Sequence, residues 1–269
     1  MSRPSLPSLP SVAVRLPSGL PTMPRWMQNG LVTLAFLGLW QLVVSVGLQD
    51  EFWVSSPQLI VERLGDWQEG GELWDNLLPT LRVALTGFLL AAVAAMVVAV
   101  ALASSRWLDE VLGWYLDVIY ALPKPALVPM FLFALGLGDS PKYVLVVLIV
   151  FFVFYYNLRA GLGEPRANLR NALGILGARR RDVVLYLELP TLVPYLVASA
   201  RIGAPLALVG TVFAEFFTAT PGMGNLIERA STTIDATGLL AGVAVLTVIG
   251  ALVDNMLRRL DLRIGRWRA

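Results

Sequence analysis

The sequence predicts an all-α, polytopic membrane protein with about six transmembrane helices. Of its 269 residues, 57% are hydrophobic and 15% are charged, and the mean hydropathy is +0.68. Several apolar stretches approach or exceed the ~20 residues that a helix needs to cross the hydrocarbon core of a bilayer. The intervals between them leave no room for a separate soluble domain of ~100 residues.

The two ends of the sequence are expected to lie outside the membrane. Residues 1–30 are rich in proline and serine and carry only arginine as a charged residue, which predicts a disordered cytoplasmic tail. Residues 261–269 form a basic tail. Between them, residues 31–260 form the membrane domain, with predicted spans at about 31–48, 79–103, 111–137, 143–158, 191–217 and 238–257.

Small residues recur at every fourth position of the second predicted span. They are Gly87, Ala91, Ala95, Ala99 and Ala103. Such a stripe lets a neighbouring helix approach closely in lipid. The second span is therefore predicted to lie inside the helix bundle.

The third predicted span is interrupted by prolines. Pro123, Pro125 and Pro129 remove backbone donors from an apolar run, and Lys124 lies between the first two of them. Non-helical backbone at membrane depth is tolerated only where protein or a water-filled cavity surrounds it. Pro123, Lys124 and Pro125 are therefore candidates for lining a translocation pathway. The alternative is a simple proline kink whose lysine reaches the membrane interface.

One face of the fifth predicted span is small and polar, because Ser199, Gly203, Ala207, Thr211 and Glu215 follow one another at four-residue spacing. Small side chains on a pathway would leave room for cargo, which makes the last four of these residues further pathway candidates. The alternative is helix packing, with Glu215 near the outer interface.

The basic residues indicate the orientation of the chain. Fifteen arginines fall on the side of the two termini, and three basic residues fall on the other side. Short cytoplasmic loops collect Lys and Arg, so both termini and the loop 159–190 are predicted to be cytoplasmic. The acidic segment 49–78 is predicted to face outward. Because the arginines follow membrane sides, the net charge of +2 does not indicate a nucleic-acid partner.

The sequence shows no catalytic constellation. It contains no cysteine or histidine, and it has no metal-ligand spacing, nucleophile motif or complete phosphate-binding loop. A conduit without a cofactor or metal of its own is therefore predicted, rather than an enzyme.

The loop between the fourth and fifth spans has a distinctive spacing. Residues 171–190 read NALGILGARRRDVVLYLELP. This segment resembles the cytoplasmic loop of the permease subunits of ATP-binding-cassette (ABC) importers, which follows E-A-A, three residues, G, nine residues, I, one residue, L-P. Asn171 replaces the acidic residue of that pattern, and Leu173 replaces its second alanine. The resemblance assigns an ATPase-coupling role to Asn171, Ala172, Leu173, Leu176, Gly177, Ala178, Arg179, Leu187, Leu189 and Pro190.

The residues of this loop suit such a role. Ala172, Leu173 and Leu176 predict a short apolar helix face, Gly177 permits a bend, and a second short helix follows. Two short helices joined at a glycine form a compact knob that would fit a cleft of a soluble ATPase, with three consecutive arginines at its rim. The alternative is an amphipathic loop held at the interface by anionic lipid.

Three further segments extend the resemblance over roughly residues 50–260. They are LPTLRVALTGF, LPKPALVPMFLFALGLGDSPK and AEFFTATPGMGNLI. Together they resemble the permeases for alkanesulfonates, taurine, nitrate and related nutrients. The resemblance implies a type I importer fold in the bacterial inner membrane and a homodimer of permease copies. It also implies two ABC ATPase subunits that bind ATP and Mg²⁺, and an external solute-binding protein.

The sequence thus predicts the membrane subunit of an ATP-driven uptake system for a small anion of the sulfonate or nitrate type. An ion-gradient-driven secondary transporter is one alternative, and it predicts inverted repeats, which this sequence does not show. A non-transporting membrane assembly factor is the other, and it predicts no dependence on an ATPase.

Overall fold

The protein is helical wherever its structure is described. The computed structural model describes residues 24–47, 54–163, 172–183, 186–187 and 189–265, and within these ranges it contains helices and turns but no β-strand. The helices are α1 (Arg25–Ser45), α2 (Pro57–Glu69), α3 (Glu72–Ser104), α4 (Arg106–Ala121), α5 (Val128–Leu135), α6 (Ser140–Gly163), α7 (Leu189–Glu215), α8 (Met223–Thr232) and α9 (Ala236–Gly265). Short helical turns occupy Lys124–Leu127 and Arg180–Val183.

Five helices, α1, α3, α6, α7 and α9, are long and apolar enough to cross a membrane. The helix α4 and the segment Lys124–Leu135 are bent by 88° at a short break and together count as a sixth span. The prediction of about six transmembrane helices is confirmed. The break lies where the sequence predicts it, because Leu122 adopts the extended backbone that a residue before a proline prefers.

The helices of all six spans begin before the predicted residues, and α1 and α4 are two of them. The helix α1 begins at Arg25, so residues 25–30 are helical rather than part of a disordered tail. The helix α4 begins at Arg106 because the Ser105 side chain caps it, accepting a hydrogen bond from the Leu108 N–H at 3.4 Å. An acidic side chain in its first turn also favours this helix start.

Two helices extend beyond their predicted ends. The helices α6 and α9 continue to Gly163 and Gly265, so the first residues of the loop 159–190 and of the tail 261–269 are helical. Ion pairs with neighbouring helices hold these extensions, namely Arg159–Asp109 at 2.9 Å and Arg201–Asp261 at 2.9 Å. The segment 49–78, predicted only as acidic and polar, contains α2 and the first turns of α3.

The helices α3, α6 and α7 form the core of the bundle, with α6 packed along both of the others. The predicted stripe on α3 is buried from Gly87 to Ala99. A Cβ atom added to Gly87 would lie 2.7 Å from Cγ1 of Val146 on α6, so the close approach of the two helices requires the glycine. The prediction of an interior helix is confirmed, although Ala103 at the end of the stripe is exposed.

The helices α2 and α8 cover one end of the bundle, here called the α8 end. Trp67 of α2 is buried there in a cluster with Met223 of α8. An ion pair joins Arg63 of α2 to Asp235, which precedes α9. Burial alone would raise the pKa of the Asp235 carboxyl, but hydrogen bonds from the Gly238 N–H and from Arg63 outweigh it and hold that pKa below its usual value.

Candidate functional site

The structure describes the loop 159–190 in part. Residues 159–163 belong to α6, and residues 172–183 and 186–187 are here called the coupling knob. Two helical turns form it, at 172–175 and at Arg180–Val183, in agreement with the two short helices that the sequence predicts. The knob is followed by α7, whose first two residues are the Leu-Pro that ends the spaced pattern.

A left-handed glycine joins the two turns of the knob. Gly177 has a φ of +80°, in the region that favours glycine over residues with a side chain. Its N–H donates to the Gly174 carbonyl at 3.1 Å, and the Ala178 N–H donates to the Leu173 carbonyl at 3.0 Å. These two bonds are the pair that ends a helix at such a glycine, so the bend predicted at Gly177 is present.

The second turn of the knob is capped. The Arg179 N–H donates to Oδ2 of Asp182 at 2.9 Å, and the Asp182 N–H donates back to the Arg179 carbonyl at 2.8 Å. This is the return half of a capping box, which satisfies a donor at the start of the turn. Val183 and Leu187 of the knob are buried.

The outer surface of the knob is apolar and uncovered. Ile175, Leu176 and Tyr186 are 87%, 82% and 77% exposed, and Arg179 and Arg181 are exposed close to them in sequence. The sequence predicts Leu176 as a coupling residue but not Ile175 or Tyr186. Ile175 could have been found, because it shares a helical turn with Leu176 and has the same apolar character.

The other residues assigned to coupling are placed as follows. Asn171 lies outside the described residues. Ala172 is exposed and Ala178 is half-buried, while Leu189 and Pro190 are exposed in the first turn of α7. The described coupling residues therefore form one continuous region at the end of the bundle opposite α8.

The pathway candidates on α7 are buried in this structure. Gly203, Ala207, Thr211 and Glu215 face the core, and a Cβ atom added to Gly203 would lie 3.2 Å from the Phe154 ring on α6. In this structure the face packs inside the bundle, as the packing alternative expects. A pathway lined by these residues would require α7 to separate from α6, and it stays a prediction.

The candidates at the break between α4 and α5 are more accessible. Pro123 and Pro125 are exposed, and Lys124 is half-buried. The Lys124 ammonium donates to the Tyr120 carbonyl at 2.8 Å and lies 4.7 Å and 5.0 Å from the ring centroids of Tyr120 and Phe152. Phe152 lies in the middle of α6, so the lysine lies beside the middle of that helix. The pathway role of these residues stays a prediction.

Glu215 is the centre of a buried polar network at the α8 end. Its carboxylate is fully buried and accepts hydrogen bonds from the Thr80 hydroxyl at 2.9 Å and the Gly224 N–H at 2.8 Å. The Lys142 ammonium, also fully buried, lies 3.7 Å from this carboxylate and 3.1 Å from that of Asp139. The sequence does not predict a role for Lys142 or Thr80. The predicted spans place Lys142 in a loop and Thr80 at the start of the second span.

Two glycines make room for this network. A Cβ atom on Gly222 would lie 2.3 Å from Cδ of Glu215, and one on Gly224 would lie 2.4 Å from the Val212 carbonyl oxygen. The start of α8 therefore closes over the carboxylate only with glycine at both positions. Two further bonds complete the network, here called the Glu215 network: Met223 N–H to Thr80 Oγ1 at 2.8 Å and Gly222 N–H to Asn76 Oδ1 at 3.0 Å.

A comparison with protein families decides the class of this membrane protein. The model of the family described as "Binding-protein-dependent transport system inner membrane component" matches residues 87–266, which is more than half of the chain. The chain belongs to this family.

Individual permeases of this kind are similar over nearly the whole chain. Identity to the putative aliphatic sulfonates transport permease protein SsuC of Bacillus subtilis is 26% over 264 residues, covering 98% of this chain and 95% of that protein. Identity to the riboflavin transport system permease protein RibX of Chloroflexus aurantiacus is 31% over 246 residues, covering 91% and 92%. Identity to the taurine transport system permease protein TauC of Escherichia coli is 26% over 254 residues, covering 90% and 92%.

The fold is similar to that of a solved chain from inward-facing conformations of the MetNI methionine ABC transporter. The TM-score is 0.63 at 16% sequence identity, covering 74% of this chain and 96% of that one. The predicted type I importer permease fold is confirmed. The binding-protein-dependent permease family consists of multi-pass transport subunits of ABC importers and not of catalytic subunits. The resemblance to alkanesulfonate and taurine permeases is likewise confirmed.

Proposed function

We propose that this permease forms the membrane pathway of an ATP-driven uptake system for a small anion of the sulfonate, nitrate or related nutrient type. An external solute-binding protein delivers the anion, and two ABC ATPase subunits drive its movement. Two relatives carry the names of an aliphatic sulfonates permease and a taurine permease, which supports this substrate class. The single observation that carries the proposal is the exposed apolar surface of the coupling knob.

The knob has the properties of a docking element. Ile175, Leu176 and Tyr186 form an uncovered apolar surface outside the apolar spans, beside exposed arginines. The capping bonds around Gly177 and Arg179 order the two turns, so little conformational freedom is lost when a partner covers this surface. Its partner in the proposal is a cleft on an ABC ATPase, where ATP and Mg²⁺ bind and hydrolysis occurs.

A second copy of the chain completes the proposed pathway. Pro123, Lys124 and Pro125 at the α4–α5 break are accessible on the surface of a single copy. When this surface lies against a second copy, the two chains together would enclose the water-filled route that a broken span requires. Gly203, Ala207, Thr211 and Glu215 would join the route only after α7 moves away from α6.

The proposed location is the bacterial inner membrane, with both termini and the coupling knob in the cytoplasm. The excess of arginine on the side of the termini supports this orientation. The α8 end then faces outward, where the loaded binding protein docks and releases its cargo.

The knob is tested by co-purification from native membranes in mild detergent. The tagged permease should recover an ABC ATPase, and Ile175→Asp should lower that recovery about tenfold or more, because it places an uncompensated carboxylate in an apolar contact. The matched control is Val61→Asp, which adds the same charge at a 69% exposed aliphatic residue of α2 at the other end of the bundle.

The outcomes separate the proposal from its alternatives. Recovery of no ATPase with the unaltered permease would remove the proposed function. Equal recovery with both variants would leave the ATPase as a partner but remove the knob as its docking element. If Ile175→Asp instead releases the knob from anionic vesicles while ATPase recovery is unchanged, the lipid-held loop is the correct interpretation.

A further inference from the structure

Cations inside the described spans are generally paired with carboxylates. A charge at membrane depth costs a few kcal/mol unless a counter-ion or water accompanies it. The pairs are Lys142–Asp139 at 3.1 Å, Arg159–Asp109 at 2.9 Å and Arg201–Asp261 at 2.9 Å. Lys124 is different, since no carboxylate of the described residues lies within ion-pair distance of its ammonium. Arg82 of α3 also has no carboxylate partner among the described residues. Unlike Lys124, its side chain has no hydrogen bond or ring contact with a described residue that would orient it.

The contacts of Lys124 orient its ammonium without neutralising it. A carbonyl oxygen of Tyr120 accepts one of its three donors, and the rings of Tyr120 and Phe152 lie on two sides. The acidic residue nearest in sequence on α4, Asp117, is engaged elsewhere because its carboxylate accepts a hydrogen bond from the Tyr156 hydroxyl at 2.7 Å. Among the described residues, two ammonium donors and the positive charge therefore remain without a partner and are open to a bound anion.

The surroundings of this ammonium fit a solute with an anionic head and an apolar body. Lys124 begins the short helical turn three residues after the end of α4, and it is half-buried rather than enclosed. The Tyr120 ring is 53% exposed beside it and packs against Tyr156 at a centroid distance of 4.9 Å, which holds it in place. A cation with unused donors thus lies next to a fixed, accessible aromatic face.

We propose that Lys124 and Tyr120 form a cargo-binding subsite within the membrane. The ammonium binds the sulfonate or carboxylate head of a small organic anion, and the Tyr120 ring contacts its apolar body. This assignment rests on the proposed transport function, and it names the pathway residues that touch the cargo. The cargo then supplies the counter-charge that the described residues do not provide.

The lysine content of the chain allows a direct test. Lys124 and Lys142 are the only lysines in the sequence, and Lys142 is fully buried, so it is the internal control. The purified permease with its ATPase subunits in nanodiscs is treated with formaldehyde and cyanoborohydride, and methylation of each lysine is read by mass spectrometry. 1-Butanesulfonate and butyrate should slow methylation of Lys124 about threefold or more. 1-Butanol and chloride at matched ionic strength should not.

Variants extend the test to binding itself. The thermal shift that 1-butanesulfonate produces in the same complex should persist in Lys124→Arg and disappear in Lys124→Met. Tyr120→Leu should weaken it about tenfold or less, because the ring contact is lost but the charge remains. Methylation of Lys124 at equal rates in butanesulfonate and chloride would overturn the subsite.

The remaining outcomes distinguish the subsite from the proposed function. If Lys124 in the folded complex is unreactive without any anion, a group of the second copy covers it and the subsite is wrong. If the methylation test fails while the ATPase still co-purifies, the subsite is removed and the transport function stands. If no ATPase is recovered, the transport function fails first, and the subsite with it.

Discussion

The Lys142→Met substitution removes the ammonium that lies buried beside Glu215. The two groups are fully buried and 3.7 Å apart, and Lys142 also lies 3.1 Å from the half-exposed carboxylate of Asp139. Methionine fills a similar volume without charge. The Glu215 carboxylate would keep its hydrogen bonds from Thr80 and Gly224 but would lose its counter-ion. Breaking a buried pair in this way costs about 3–5 kcal/mol.

The reverse substitution, Glu215→Gln, should cost less. It leaves Lys142 with the Asp139 carboxylate and the Pro221 carbonyl at 3.4 Å, so the buried ammonium still has a counter-charge. Loss of charge-assisted hydrogen bonds alone costs about 1–3 kcal/mol. The double variant buries neither charge, and it should therefore be more stable than Lys142→Met alone.

Thermal unfolding of the purified permease in detergent, followed by tryptophan fluorescence, measures these differences. At roughly 2–4 °C per kcal/mol, Lys142→Met should lower the Tm by about 6–20 °C. Arg229→Met is the control, since Arg229 is exposed on α8 and its change should stay within about 0.5 kcal/mol. Equal effects of the two single substitutions, or a double variant whose loss equals their sum, would refute the counter-ion argument.

Two further predictions concern the α8 end and the orientation of the chain. The lowered pKa of Asp235 means that its carboxylate stabilises the fold fully above the unfolded pKa of about 4, and that this contribution is lost as pH falls through the lower folded value. The Tm difference between the wild type and Asp235→Asn should therefore shrink as the pH falls below about 4 and vanish once the folded carboxylate is protonated, and a difference that does not shrink with pH contradicts the argument. Because the sequence has no cysteine, Val61→Cys and Leu176→Cys place single thiols at opposite ends of the bundle. A membrane-impermeant maleimide added to spheroplasts should modify the first and not the second, whereas the opposite result would invert the proposed orientation.

The sequence predicts the membrane architecture well because the relevant signals are local. Apolar length identifies the spans, and the small-residue stripe identifies α3 as an interior helix. The prolines identify the break after α4, although not its 88° angle, which depends on how the following segment packs on α6. The glycine in the loop pattern likewise identifies the bend at Gly177, because a left-handed residue is a local requirement.

The Glu215 network could not be predicted in the same way. Thr80 and Glu215 are 135 residues apart in sequence, and their contact depends on the relative depth of α3 and α7. Periodicity places a residue on a helix face but does not fix its height against a neighbouring helix. The predicted spans leave Lys142 in the loop between residues 137 and 143, yet it lies in the first turn of α6 and is fully buried. Gly222 before α8 and Gly224 in its first turn are the signal that the sequence offers.

The helix α7 connects the coupling knob to the Glu215 network. It begins at Leu189, directly after the coupling knob, and ends at Glu215, in the network that closes the α8 end. A helix of this length spans about 40 Å, so one element connects the knob end of the bundle to the opposite end. Its packing on α6 is close at Gly203, where an added Cβ would lie 3.2 Å from Phe154. A displacement of the knob would therefore move α7 against α6, and Glu215 would carry that movement into the turn before α8.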